Sequence, residues 1–125
     1  MGQGKPIGDK TILIVEDEPL IRMDLVDFFE DSGWRVYEAE NADDAIVLLE
    51  GHKEVRVVLT DVEMPGSMNG LRLAHYVRDR FPPTTLYVVS GRMKLTMDDL
   101  PEQTTFLPKP FNPYVLLREL DALQA

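Results

Sequence analysis

The sequence contains no cysteine. That excludes disulfides, thiolate metal centres and cysteine nucleophiles, so any site must be built from oxygen and nitrogen groups. Histidine is nearly as scarce: His52 and His75 are the only two, and their distance in sequence from the acidic clusters points to helix-end and helix-face roles instead of a metal centre. Positive charge is also short. Thirteen Lys and Arg stand against 22 Asp and Glu, and the resulting net charge of −9 repels phosphate backbones and anionic lipid surfaces. Direct nucleic-acid or membrane binding is not expected. No apolar run reaches membrane-spanning length, and residues 1–10, with three Gly and one Pro, lack the apolar block of a signal peptide. Met1-Gly2 does not extend to an acylation motif, because Pro6 stands where Ser or Thr is wanted. These absences suit a cytoplasmic protein. What remains is a chain of 125 residues, 44% hydrophobic and 28% charged, in the ordinary range for one globular domain. Residues 1–10 are expected to be a flexible lead and 11–125 the domain.

The strongest pattern is the run Val57 to Asp61, apolar, β-branched and stopped by Pro65-Gly66. It reads as a buried strand that ends on a carboxylate. Ile12 to Val15 is a second such strand, running into Glu16-Asp17-Glu18-Pro19. Between them, Ile21, Leu25, Phe28 and Phe29 recur at helical spacing from Pro19 to about Ser32, with Gly33 as the stop. Trp34 to Tyr37 reads as a less buried strand, and Asn41 caps a helix carrying Ala45, Leu48 and Leu49 that stops at Gly51. After Asp61 come a loop through Asn69-Gly70, a helix from Leu71 to Arg80, and a strand Leu86 to Val89 ending on Ser90-Gly91. A short or irregular fourth helix is expected between Arg92 and Leu100, cut off by Pro101. Thr105 to Leu107 is a fifth strand leading to Pro108-Lys109-Pro110, and Asn112-Pro113 starts a last helix with Val115, Leu116 and Leu120.

Strands alternating with helices in this way imply parallel βαβ units with right-handed crossovers. The first, third and fourth strands are the most continuously apolar, which places them centrally. The expected fold is α/β, a flavodoxin-like (βα)5 doubly wound sheet in the order 2-1-3-4-5. In such a sheet the site lies beyond the carboxyl ends of the strands. Four strands then deliver Glu16 and Asp17, Asp61, Ser90 and Lys109 to one edge. Acids brought that close repel by about 4 kcal/mol per pair at 4 Å and an effective dielectric near 20. A divalent cation with hard oxygen ligands, Mg2+ or Mn2+, would offset the repulsion. Lys109 and Ser90 would then be placed to bind the remaining phosphate oxygens. These are the parts for phosphoryl transfer to Asp61 as an acyl phosphate.

The motifs Ile-Leu-Ile-Val-Glu16-Asp17-Glu-Pro, Leu-Thr-Asp61-Val-Glu-Met-Pro-Gly, Val-Val-Ser90-Gly and Leu-Pro-Lys109-Pro-Phe resemble those of the CheY-like receiver domain of bacterial two-component response regulators. The resemblance covers the chain from Lys10 onward. It implies that Asp61 is the phosphoacceptor, that Asp17 binds the metal directly, and that Glu16 acts on it through water. It further implies that the backbone carbonyl of Glu63 is a ligand, that Ser90 is a switch hydroxyl, Phe106 a rotating aromatic and Lys109 a phosphoryl contact. Glu63 and Arg92 fall at positions that tune hydrolysis of the acyl phosphate, and their opposite charges suggest a pair over the phosphate. The Lys109-Pro110 bond is often cis in the family, which the sequence permits.

Three features depart from the family pattern. The loop Gly66 to Gly70 looks one residue long, the segment between Ser90 and Lys109 looks short, and Phe106 replaces the commoner Tyr. The expected function is a phosphorylation-dependent signalling switch, not a turnover enzyme, and a monomer or weak dimer. It would take its phosphoryl group from a histidine kinase or histidine phosphotransfer protein and signal to a downstream protein through the fourth helix, fifth strand and last helix. The alternatives are a phosphorylation-independent receiver-like adaptor and a Mg2+-dependent phosphatase with an Asp nucleophile. The second would need a general acid near Asp61, where only Glu63 is available. Flavin binding is disfavoured because Glu16-Asp17-Glu18 would repel the cofactor's phosphate.

Overall fold

A computed structural model of the chain describes residues 10–64, 68–91 and 99–124. Five strands, β1 (Thr11–Val15), β2 (Arg35–Ala39), β3 (Val57–Asp61), β4 (Thr85–Ser90) and β5 (Thr104–Pro108), form one sheet in the order β2-β1-β3-β4-β5. All four pairings are parallel. Around the sheet lie α1 (Pro19–Asp31), α2 (Ala42–Gly51), α3 (Gly70–Arg80) and α4 (Pro113–Gln124). The expected architecture and strand order are therefore present. The candidate fourth helix falls mainly on residues 92–98, outside the described residues, as do Arg92, Pro65 to Ser67 and the lead up to residue 9.

Every residue of β1 and β3 is buried, and β2, at the edge, is mostly not. Because side chains alternate across a strand, each central strand feeds two cores. Leu13, Val15, Val58, Leu86 and Val88 face α2 and α3, against Leu49, Leu73 and Val77. Ile12, Ile14, Leu59, Tyr87 and Val89 face the other way, toward Leu25 and Phe29 of α1 and Leu116 and Leu120 of α4. Coverage on both faces is what the unbroken apolar runs require.

Local signals end the helices where the sequence suggests. Pro19 sits in the first turn of α1, and Gly33 follows its end with φ of +92°, a left-handed conformation that favours glycine. The Asn41 side chain accepts from the Asp44 N–H at 2.8 Å and the Asn69 side chain from the Arg72 N–H at 3.0 Å, capping α2 and α3. Every strand but β3 differs from expectation by one or two residues: β1 begins at Thr11, β2 runs on to Ala39 and β4 extends from Thr85 to Ser90. β2 begins after Trp34, whose ring is buried against Phe29 in the α1 core, and β5 gains Thr104 and Pro108 through pairing with β4. The Lys10 carbonyl already accepts from the Arg35 N–H, so sheet-like bonding starts one residue before β1. Among the described residues no helix is long and apolar enough to cross a membrane.

Candidate functional site

Backbone hydrogen bonds fasten the carboxyl ends of the strands to one another. The Glu16 N–H donates to the Ala39 carbonyl, Val62 N–H to Val89, and Lys109 N–H to Ser90, at 2.9 to 3.0 Å. Each polar residue leaving a strand is thereby held next to its neighbours from the adjoining strand. The result is a cluster in which one carboxylate oxygen each from Glu16, Asp17 and Asp61 lies within 4.8 Å of the others. Glu16 and Asp61 are only 4% and 5% exposed, so water screens their repulsion poorly.

Asp61 is oriented from both sides. Lys109 Nζ donates to Oδ2 at 2.7 Å, and the Glu63 N–H donates to Oδ1 at 3.1 Å. The peptide bond after Lys109 is cis, within the expected Lys109-Pro110 step. Burial alone would lower the Lys109 ammonium, but its hydrogen bond to Asp61 and the charges of Asp61, Glu16 and Glu63 outweigh that and hold it above its ordinary value. Glu16 responds in the opposite sense. Burial pushes its carboxyl up to about 7, with the Asp61 charge adding to the rise, although the Glu18 N–H on Oε2 and the charge of Lys109 oppose it. An all-oxygen set of acids, two of them buried and one of those so unfavourably ionised, fits a hard divalent cation.

Ser90, 2% exposed, donates its hydroxyl to Glu63 Oε2 at 2.5 Å. Glu63 therefore touches Asp61 through its backbone and Ser90 through its side chain. Phe106 pairs with Val88 across the β4–β5 ladder and is partly exposed, two residues inside the end of β5. Strand alternation puts it on the α2–α3 side, opposite to Leu107. Glu16, Asp17, Asp61, Glu63, Ser90 and Lys109 are thus brought together, Phe106 stands to one side, and Arg92 lies outside the described residues. His52 stacks on Tyr37 and pairs with Glu54, and His75 contacts the Asp99 carbonyl, so neither enters the acidic cluster.

Three supporting residues escaped the sequence reading. Arg22 of α1 donates to the Glu16 carbonyl at 2.7 Å and pairs with Glu38 of β2 at 3.0 Å, pinning the acidic loop. The Thr60 hydroxyl donates to the Asp61 carbonyl at 3.0 Å. Gly70, read only as part of a turn, packs so closely that a Cβ there would lie 1.8 Å from that same carbonyl oxygen. Its N–H donates to Val62, which seats the start of α3 directly beneath Asp61. On the α1 side, a cavity of about 470 Å³ opens beside Lys109 between Ile21, Leu25 and Phe111.

The family model for the response regulator receiver domain matches residues 12–121. The sensor kinase CckA of Brucella abortus (strain 2308) is 36% identical over 109 residues, which cover 84% of this chain and 11% of that protein. The aerobic respiration control protein ArcA of Escherichia coli (strain K12) is 32% identical over 111 residues, 82% of this chain and 43% of its own length. The chain thus spans less than half the length of either relative. The solved receiver domain of the hybrid histidine kinase CckA superposes with a TM-score of 0.75 at 27% identity, covering 92% of this chain and 99% of that one. The response regulator TrrA of Thermotoga maritima, solved in complex with Mg2+-BeF, gives 0.76 at 27% identity over 91% and 98%. A CheY-like receiver domain protein of Methanospirillum hungatei JF-1 shares the fold, with a TM-score of 0.81 at 24% identity over 92% and 93%. The family match runs from β1 into α4 and takes in every strand that ends at the acidic cluster, so the chain belongs to the response regulator receiver domains of two-component signalling.

Proposed function

We propose that Asp61 accepts a phosphoryl group from a phosphohistidine on a histidine kinase or histidine phosphotransfer protein, and that the chain signals by the change this makes at its surface. The observation that carries the reading is the double anchoring of the Asp61 carboxylate by Lys109 Nζ at 2.7 Å and the Glu63 N–H at 3.1 Å, at the rim of a buried acidic cluster. Such anchoring fixes the direction of attack before the donor arrives. An Asp61 oxygen bonds to phosphorus as the P–N bond of the donor breaks, and the electron pair leaves on the imidazole nitrogen, which is protonated. Lys109 stands where it can offset negative charge on the transferring oxygens.

Receiver domains bind Mg2+ in an acidic pocket, and Glu16, Asp17 and Asp61, with the Glu63 carbonyl, would hold it here. Bound there, it would offset the negative charge of acids and phosphoryl group together. Similarity to sensor and hybrid histidine kinases supports a phosphorelay partner of that type. The new group adds about −1.5 to −2 charges near neutral pH, and its pull on Ser90 and Lys109 is what shifts the surface formed by β5 and α4.

Intact mass after incubation with Mg2+ and acetyl phosphate tests the reading. One labile phosphate is expected on the native chain and none on Asp61→Ala or in chelator. No adduct at short times, with acetyl phosphate or a phosphorylated kinase as donor, would instead favour a phosphorylation-independent adaptor. Turnover of a phosphate ester well beyond one equivalent would point to a phosphatase.

A further inference from the structure

The Ser90 hydroxyl and the Glu63 carboxylate form a hydrogen bond of 2.5 Å within a site whose chemistry would call on the same hydroxyl for another purpose. A hydroxyl has one proton and donates to one acceptor at a time. Here that proton points to an ionisable acid, the setting of a charge-assisted bond, which is shorter and stronger than a neutral one. The backbone that carries the acid is held in place, because the Glu63 N–H donates to Asp61 Oδ1 at 3.1 Å. Ser90 is fixed as well: its carbonyl accepts from the Lys109 N–H at 3.0 Å, and the residue is buried.

We propose that the Glu63 carboxylate is a latch on Ser90: it holds the hydroxyl while Asp61 is bare and must release it before Ser90 can serve a phosphoryl group on Asp61. This rests on the phosphoacceptor reading of Asp61. Glu63 and the phosphoryl group are anionic rivals for one donor, and Lys109, which already feels the charge of Glu63, lies between their fields. Glu63 is accordingly a positioning residue that acts through Ser90. Its latch opposes occupancy of the phosphoryl position and sets how completely phosphorylation converts the molecule.

A double-mutant cycle on Glu63 and Ser90 tests this, with Mg2+-beryllofluoride as the phosphoryl mimic and its dissociation constant measured by titration calorimetry on the full chain. Mg2+ affinity alone is measured for each variant, so that effects on the metal are subtracted. Glu63→Ala is expected to bind the mimic about tenfold more tightly, about 1.4 kcal/mol, and to lose most of that gain when Ser90 is already Ala. Glu63→Asp keeps the charge but withdraws it by one methylene, and should behave as unlatched. Equal gains in both Ser90 backgrounds, or native behaviour of Glu63→Asp, would reduce Glu63 to plain charge repulsion and overturn the latch while leaving the phosphoacceptor reading intact. Absence of any Mg2+-dependent binding that Asp61→Ala abolishes would overturn that reading and the latch together.

Discussion

Glu16 is buried beside two other carboxylates, and burial is the main reason its carboxyl rises from 4.5 to about 7. The folded chain therefore holds a proton on Glu16 more tightly than the unfolded chain does. Metal-free stability must fall as pH rises from about 4.5 to about 7 and stay low above that. At about 1.36 kcal/mol per unit the loss is on the order of 3 kcal/mol. Glu16→Gln removes the titration but keeps an oxygen for the Glu18 N–H. In urea melts without metal, its stability relative to the native chain should climb across that window. A difference that stays flat with pH would refute the assignment. Lys109 makes the complementary case: its ammonium faces a nearly buried Asp61 from a side chain still about a third exposed. Lys109→Ala removes the cation that partly neutralises the cluster, so metal-free stability should fall by about 1–2 kcal/mol. For the same reason Mg2+ should bind the variant more tightly than the native chain, which calorimetry can read directly.

Helix α3 links the acidic end of the sheet to the segment that precedes β5. At its first residue, Gly70 lies against the Asp61 backbone with no room for a Cβ. Gly70→Ala would gain up to about 1 kcal/mol of helix propensity but must displace α3 or the end of β3. Overpacking against rigid backbone costs about 1–3 kcal/mol, so a net loss of about 1–2 kcal/mol and impaired phosphorylation at Asp61 are expected. Denaturant melts and intact mass check the two. At the other end of the helix, the Arg78 guanidinium donates to the carbonyls of Pro82, Glu102 and Gln103, and burial lowers its pKa. Arg78→Ala leaves those carbonyls to water. Amide exchange should accelerate by about tenfold or more in residues 99–104, given about 1.5 kcal/mol or more for bonds to a charged donor, with little change in β1. Neither role was legible in the sequence. Long β-branched runs announce buried strands, and the order of burial placed β1, β3 and β4 in the centre, so the acids at strand ends could be brought together on paper. Gly70 looks like any turn glycine until the approach of β3 is known, and Arg22 reaches Glu16 only because α1 folds back beside β2. The Glu63–Ser90 bond depends on a side-chain direction that spacing does not encode.

Across the whole molecule, 22 acids against 13 bases leave a net charge of −9, and the fold concentrates part of it at one end of the sheet. Two kinds of cation effect follow, and they separate by concentration. Monovalent salt screens the overall repulsion, with a Debye length of about 10 Å at 0.1 M, and so stabilises the chain weakly and without saturation. A divalent cation held by Glu16, Asp17 and Asp61 would bind the folded state alone, because the three come from the ends of two different strands. Its stabilisation grows as the logarithm of concentration above the dissociation constant and reaches about 1.4 kcal/mol at ten times that value. For a chain of this size that raises the midpoint by about 4–6 °C. Thermal melts in MgCl2 and in NaCl of matched ionic strength should therefore diverge, with the excess from Mg2+ abolished in Asp17→Ala. If the two salts raise the midpoint equally, the cluster is no more than a patch of surface charge and the metal site is wrong. If Mg2+ alone gives the excess and Asp17→Ala removes it, a cation is held at the one place where charge arriving on Asp61 would act on β3, β4, β5 and α3 together.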